Sequence, residues 1–242
     1  MICCIPTKGR QNTKTYQLFE KKGIKTYHFI EPQDWESYNV PNKIMLPEND
    51  RGVGYVRNFI LNWCKVKQEQ ICIMSDDDIN SFGYVSNGKC IQSDASIFYD
   101  MLPIINKMPF EMYGMSFRQF AWSEKRKYSI NSKPITGVVV LKTNKLNWEY
   151  PNIFKEDLIF QFETIRNGHG TLKFNHFFFN CPAVGTNKGG CFDGYQNKED
   201  VYAAKKILQK YYGFVKIVKK KKTIDVKWDF KKWAIHHQKD VR

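Results

Sequence analysis

Ile71-Cys72-Ile73-Met74 runs directly into Ser75-Asp76-Asp77-Asp78. Four apolar residues followed by three adjacent acids read as a buried strand with a charged tip. Upstream, Val56, Phe59, Ile60, Trp63 and Val66 recur at helical spacing, so residues 55–66 form an amphipathic helix. Before it stands a glycine-bearing loop, Arg51-Gly52-Val53-Gly54. Further back come short strands at Lys43–Leu46 and Tyr27–Ile30, and a helix over 13–22 that stops at Gly23. The chain opens with a strand, Ile2-Cys3-Cys4-Ile5, and a polar turn, Pro6–Arg10. Strands alternating with helices at this spacing predict an α/β fold: a mostly parallel central sheet with helices on both faces. Such sheets bind ligands at the carboxyl ends of their strands. Pro6–Arg10 and Asp76–Asp78 both occupy such ends.

Downstream the pattern is less regular. Helices are expected over 95–107, 157–167 and 199–212, and strands over 112–117, 135–141, 171–180, 214–218 and 223–228. Residues 183–197 hold four glycines and read as a loop. Neither a repeat nor a low-complexity linker divides the chain, so one domain is expected. Within it, a first part over residues 1–80, a second over 81–200 and a basic extension over 201–242 are distinguished.

The 242 residues include 18 Phe, 13 Tyr and 6 Trp, which excludes disorder as the main state. No apolar run approaches the roughly 18 residues of a membrane span. The first ten residues lack the pattern of a signal peptide. Net charge is +14, and +10 of it lies in residues 201–242, where 13 Lys and Arg face 3 Asp. A basic end on a near-neutral body suggests a polyanionic partner; the alternative is lysine filling solvated faces. Seven cysteines without CxxC spacing exclude a zinc ribbon and a complete disulfide framework. They fit a reducing, cytoplasmic compartment.

Three adjacent carboxylates at a strand tip repel one another unless a cation is near. Mg²⁺ or Mn²⁺, held by one or two carboxylates and bridging to phosphates, suits Asp76 and Asp78, with Asp77 between them. Gly52 and Gly54 before Arg57-Asn58 resemble a loop opening a helix onto a phosphate. Glu156-Asp157 opens the helix at 157; acids there cap a helix dipole, and a base fixed at a helix start suits deprotonation of a sugar acceptor. Gly189-Gly190 permits close backbone approach to a ligand, or a hairpin turn. His176 and His236 are candidates to complete a metal site. Lys219, Lys220, Lys221, Lys222, Lys231 and Lys232 are candidate nucleic-acid contacts. Trp228–Trp233 interleaves aromatics with lysines, which suits either base stacking or an amphipathic helix packed on the body.

In order, IPTKGR, GVGYVRN, SDDDI, KED and the Gly-Gly loop resemble a GT-A glycosyltransferase, with its Rossmann-like sheet and Asp-x-Asp motif. More specifically, they resemble the TET-associated glycosyltransferase family over roughly residues 2–195. That group is similar to the kinetoplastid base J glucosyltransferase and includes phage enzymes that glycosylate hydroxymethylated bases in DNA. The resemblance implies that Pro6, Thr7 and Arg10 line the nucleotide pocket and that Arg57 and Asn58 contact the nucleotide or its phosphates. It implies that Asp76 and Asp78 hold Mn²⁺ or Mg²⁺ and sugar, that Asp157 beside Glu156 is the base of an inverting reaction, and that Gly189 and Gly190 shape the pocket. The implied reaction moves a sugar from a UDP-sugar to a 5-hydroxymethylated pyrimidine in DNA. Compact size and lysine-rich composition suit a phage enzyme in a host cytoplasm. Two alternatives stand: a polysaccharide, lipid or protein acceptor, and a non-catalytic DNA-binding module on a degenerate transferase fold.

Overall fold

The computed structural model describes residues 1–183, 189–190, 194, 197–219 and 224–242. The chain opens with four parallel strands, β1 (Ile2–Thr7), β2 (Thr26–Ile30), β3 (Lys43–Met45) and β4 (Ile71–Ser75). They lie in the order β3-β2-β1-β4. Strand order therefore reverses between β1 and β4. In open α/β sheets that reversal leaves a crevice at the carboxyl ends, because the two connecting helices leave on opposite faces. Here α1 (Thr15–Glu20) packs on one face through Phe19, and α2 (Val53–Val66) packs on the other through Val56, Ile60 and Cys64. Both faces of β1 are covered, which explains its unbroken apolar run: Cys3 points into one core and Cys4 into the other.

The second half adds β5 (Ser81–Ser86), β6 (Lys89–Ser93), β7 (Met112–Phe117), β8 (Tyr128–Ile130), β9 (Val138–Lys142) and β10 (Thr171–Asn180). The sheet continues as β4-β9-β7-β10-β5-β6, with β8 also paired to β10. It is parallel through its first four strands and mixed beyond them. β9 runs antiparallel to both β4 and β7, and β7 is parallel to β10. The carboxyl ends of β1–β4, β7 and β10 thus share one sheet edge. β9 begins at Val138, three residues later than the sequence suggested, because the Ile135 amide bonds the Gln161 side chain at 2.9 Å instead of a strand.

The helix α3 (Ile97–Lys107) joins α1 on the first face, and α4 (Arg118–Ala121) follows β7. On the second face α5 (Glu156–Arg166) is apolar on two sides, and a helix of that kind is buried on both. Phe160 points to the sheet, while Leu158, Phe162 and Ile165 point to a third core. That core is completed by α6 (Glu199–Lys210), the hairpin β11 (Val215–Lys219)–β12 (Ile224–Trp228) and α7 (Phe230–His236).

The C-terminal region corrects the stacking reading of Trp228–Trp233. Phe230 and Trp233 are buried, Trp233 stacks on Phe162 with ring centroids 4.8 Å apart, and its indole donates to the Phe162 carbonyl at 2.8 Å. This is an amphipathic helix with its aromatics inward. Lys219 closes β11, while Lys220, Lys221 and Lys222 lie outside the described residues. Among the described residues no helix is long and apolar enough to cross a membrane.

Candidate active site

The β1 and β4 strands pair only through Ile2–Cys4 and Cys72–Met74, so they part just before their carboxyl ends. The triplet and the Pro6–Arg10 turn face each other across that opening. Asp77 is the buried member. Its carboxylate accepts from Thr7 Oγ1 at 2.6 Å and from Arg10 Nη1, and its carbonyl accepts from Thr13. Tyr38, itself buried, pairs its hydroxyl with Thr7 Oγ1 at 3.0 Å and accepts the Arg10 amide at 2.7 Å. Pro6 continues β1 in register with Phe29. Thr7 and Arg10 thus brace the central aspartate, which leaves its two neighbours at the crevice. The Asp76 side chain is 41% exposed and Asp78 20%, against 4% for Asp77. Arg10 also reaches Asp78 Oδ2 at 3.3 Å.

Arg57 and Asn58, expected at the nucleotide, turn inward. Arg57 is buried, pairs with Asp76 Oδ1 at 3.1 Å and with Glu156 Oε1 at 3.1 Å, and lies over the Tyr150 ring. Burial alone would lower its pKa, but Glu156 and Asp76 outweigh that and keep it charged. Asn58 exchanges two hydrogen bonds with the Tyr150 backbone, at 2.9 and 2.7 Å. Tyr150 in turn stacks flat on Phe160 of α5, with centroids 3.8 Å apart. The pair therefore fixes α5 against β4. The loop before α2 serves the same packing. A Cβ on Gly54 would collide with the Pro151 carbonyl, so glycine there admits the 151–152 backbone rather than a phosphate.

Glu156 and Asp157 begin α5 after Lys155, whose left-handed backbone (φ 69°) turns the chain into the helix. Asp157 caps its own helix by accepting the Leu158 amide at 2.8 Å. Burial pushes the Glu156 carboxyl up to about 7, with Asp157 adding to it and Arg57 opposing. Asp157 is also raised by burial against the pull of Arg57. Desolvation by the surrounding protein pushes Asp76 up to about 7 despite its 41% exposure, with Arg57 opposing and Asp78, Asp157 and Asp77 reinforcing. Five acids therefore share one crevice with two guanidiniums.

Gly189 and Gly190 join this group. The Gly190 amide donates to the Lys8 carbonyl at 2.9 Å, and Arg10 Nη2 donates to the Gly189 carbonyl at 3.3 Å. Gly189 has φ +84°, and a Cβ there would press on the Lys8 carbonyl at 2.7 Å. The two histidines are placed elsewhere. His236 is exposed on α7 against Phe214 and Trp233, and His176 bonds the Glu124 carbonyl at 2.8 Å. Lys231 is exposed on α7, and Lys232 donates to the Gly213 carbonyl at 3.0 Å.

Sequence reasoning missed Tyr38, Thr13 and Cys181. The Cys181 thiol is pushed up to about 12 by burial and then by Asp78 and Asp76. Among the described residues, the one trio of metal-type donors within 4.8 Å is Cys4, Cys64 and Cys72. It is buried in the core beneath α2, not in the crevice. A cation in the crevice would draw few ligands from protein. The carboxylates of Asp76 and Asp78 are hard oxygen donors in a locally acidic site, and Mg²⁺ or Mn²⁺ takes one or two such groups plus phosphate and water. The residues present fit that group.

No curated protein matches the chain in sequence. Among solved structures, it is similar to A197 from STIV, at 13% identity over 74% of this chain and 83% of that one, with a TM-score of 0.45. It is also similar to a CMP:2-keto-3-deoxy-manno-octonic acid synthetase complexed with CTP, at 12% identity over 84% and 98%, with a TM-score of 0.44. A family model matches residues 1–190, from β1 through the Gly189-Gly190 contact that closes the crevice, and the chain belongs to the TET-associated glycosyltransferase family.

Proposed function

We propose that this protein moves a sugar from a UDP-sugar to the hydroxyl of a 5-hydroxymethylated pyrimidine in DNA. The observation that carries the reading is the meeting of the Asp76–Asp78 triplet with the acidic start of α5 at the β1/β4 switch point, where Arg57 pairs with both Asp76 and Glu156 at 3.1 Å. Asp76 and Asp78 would hold Mn²⁺ or Mg²⁺, which would supply neutralisation of the charge developing on the departing diphosphate. Arg10, fixed by Tyr38 and Asp77, lines the nucleotide side of the crevice with Thr7 and Gly189-Gly190. Asp157 takes the proton of the acceptor hydroxyl. The freed oxygen forms a bond to the anomeric carbon, the bond from that carbon to the diphosphate breaks, and UDP leaves with its electron pair. Base catalysis of this kind contributes about 10²–10⁴-fold. Arg57 acts as a positioning residue that holds Asp76 and Glu156 in one geometry. The six described cysteines are free, which suits a reducing cytoplasm.

The test is a matrix of UDP-sugars against duplex DNA carrying 5-hydroxymethylcytosine or 5-hydroxymethyluracil, with and without Mn²⁺, read by nucleoside mass spectrometry. A nucleoside heavier by one sugar, formed only with the metal, is the expected result. UDP release onto a glycan, lipid or protein acceptor with unmodified nucleosides overturns the DNA acceptor. Absence of any donor turnover overturns the transferase reading.

A further inference from the structure

We infer that the acceptor strand is bound by the segment from Arg118 to Lys133, as a stacked base in one cleft and a phosphate track in the next. The inference rests on the DNA reading above and names the surface that reading requires.

Two clefts flank this segment. The first, about 550 Å³, lies between α4 and the β5–β6 hairpin and is lined by Lys89, Arg118, Gln119, Trp122 and Asn180 among others. Trp122 is 61% exposed and its neighbour Phe120 55%. An exposed indole beside Arg118 and Lys89 suits a nucleobase, whose π-face stacks while its phosphate meets a cation. The second cleft, about 400 Å³, is lined by Lys125, Arg126, Lys133, Lys231 and Arg242 against a single acid, Glu124. Glu124 is already paired with Lys133 at 3.0 Å. The excess positive charge there is complementary to a sugar–phosphate backbone.

The surface is built rather than loose. Asn175 of β10 bonds the Arg126 carbonyl at 3.0 Å and the Lys127 carbonyl at 2.9 Å, and His176 bonds the Glu124 carbonyl at 2.8 Å. Ile130 exchanges backbone bonds with Arg242, which brings the C-terminal residues to the second cleft. The surface also reaches the reacting groups. Arg118 follows the carboxyl end of β7, on the edge that carries the triplet. Asn180 lines the first cleft, and its carbonyl accepts the Asn80 amide at 2.8 Å two residues past Asp78. A base stacked on Trp122 therefore stands at the mouth of the crevice. Of the lysines singled out in the sequence, Lys231 belongs to this surface.

The test compares the intact protein with Trp122→Ala and with a Lys125→Ala, Arg126→Ala double variant. The readouts are fluorescence anisotropy on DNA carrying 5-hydroxymethylcytosine across a salt series, glycosylation of the same DNA, and UDP release to water. Trp122→Ala is expected to weaken DNA binding about tenfold or more. The double variant is expected to flatten the slope of log K against log salt by about 2. Both should raise KM for DNA while UDP release to water and the melting temperature stay at the level of the unmodified protein. If the unmodified protein glycosylates DNA and both variants bind and glycosylate it equally well, the surface is wrong and the function stands. If the unmodified protein neither binds nor glycosylates DNA, the function fails and this inference with it. DNA binding lost together with UDP release and melting temperature would show a structural role and overturns the assignment.

Discussion

The two ends of α5 stand in opposite surroundings. At its start, Glu156 and Asp157 share a crevice with the aspartate triplet, and charge is the organising element: Arg10 pairs with Asp77 and Asp78, and Arg57 with Asp76 and Glu156. Toward its other end, Phe162 is enclosed by Trp228, Phe230 and Trp233, and aromatic packing is the organising element. By sequence the C-terminal region is the charged one, with +10 of the net charge. In the structure most of its described charges are solvated over an aromatic core, while the few charges of the crevice are partly withdrawn from water. Charge count and charge consequence are therefore separate quantities; burial decides which one matters.

That contrast is sharpest when charge is removed from the crevice without changing shape. Asp78→Asn is expected to lower kcat on the order of 10³-fold or more, because metal-assisted charge neutralisation is worth several kcal/mol. Circular dichroism should show an unchanged fold. Turnover at the level of the unmodified protein would break the assignment of Asp78. Asp157→Asn keeps the Leu158 cap acceptor and removes the base, so kcat should fall about 10²–10⁴-fold with the donor KM nearly unchanged. A loss in donor affinity alone would move Asp157 from base to binding residue.

At the other end of α5 the same kind of probe should act through stability. Trp233→Ala removes a ring stacked on Phe162 and a buried hydrogen bond, at a cost of about 3–5 kcal/mol. The melting temperature should drop by many degrees while kcat at a permissive temperature changes far less than in Asp157→Asn. An equal loss of kcat with little loss of stability would show that the two ends are not separate in function.

The titration behaviour of the crevice gives a further way to tell the regions apart. Asp76 and Glu156 are raised to about 7 in the folded chain and titrate near the ordinary carboxylate range when unfolded. The stability they contribute is full below about pH 4 and is lost as pH rises through about 7. The metal-free protein should therefore melt lower at pH 8 than at pH 5.5. Mn²⁺ requires the ionised carboxylates, so its stabilising effect should grow over the same interval, with proton release near pH 7 measurable by calorimetry in two buffers. A cation effect independent of pH would contradict binding to these carboxylates.

The parts of this molecule that were legible in the sequence are those set by local pattern. Ile71–Met74 followed by acids is a strand tip whatever surrounds it, and with Ile2–Ile5 before Pro6–Arg10 it was enough to locate the crevice. The β5–β6 hairpin was also legible but unread: Asn87-Gly88 between two strands is a strong turn signal, and both residues adopt positive φ. Tyr38 and Thr13 carry no such signal. Their roles arise only when two short segments fold over β1 and β4 and direct hydroxyls at Asp77 and Thr7. The inward turn of Arg57 was hidden for a related reason, since its partners Asp76 and Glu156 come from different elements. The lysine-rich tail was only partly legible because spacing alone does not say which face of Trp228–Trp233 meets protein.

The smallest effect is expected where the two regions are tied by an ion pair near the surface. Lys155 Nζ meets Asp225 Oδ1 of the C-terminal hairpin at 3.1 Å, with side chains 25% and 31% exposed. A partly solvated pair of this kind is worth about 0–1 kcal/mol. Asp225→Asn should therefore cost no more than about 1 kcal/mol in urea unfolding, with salt dependence reduced. Because Lys155 immediately precedes Glu156, a change of kcat beyond about threefold would show that the hairpin sets the pose of Asp157 through this contact. An unchanged kcat would leave Arg57 and the Tyr150–Phe160 stack as what positions the start of α5, and the C-terminal core as a support reached only through Phe162 and its neighbours.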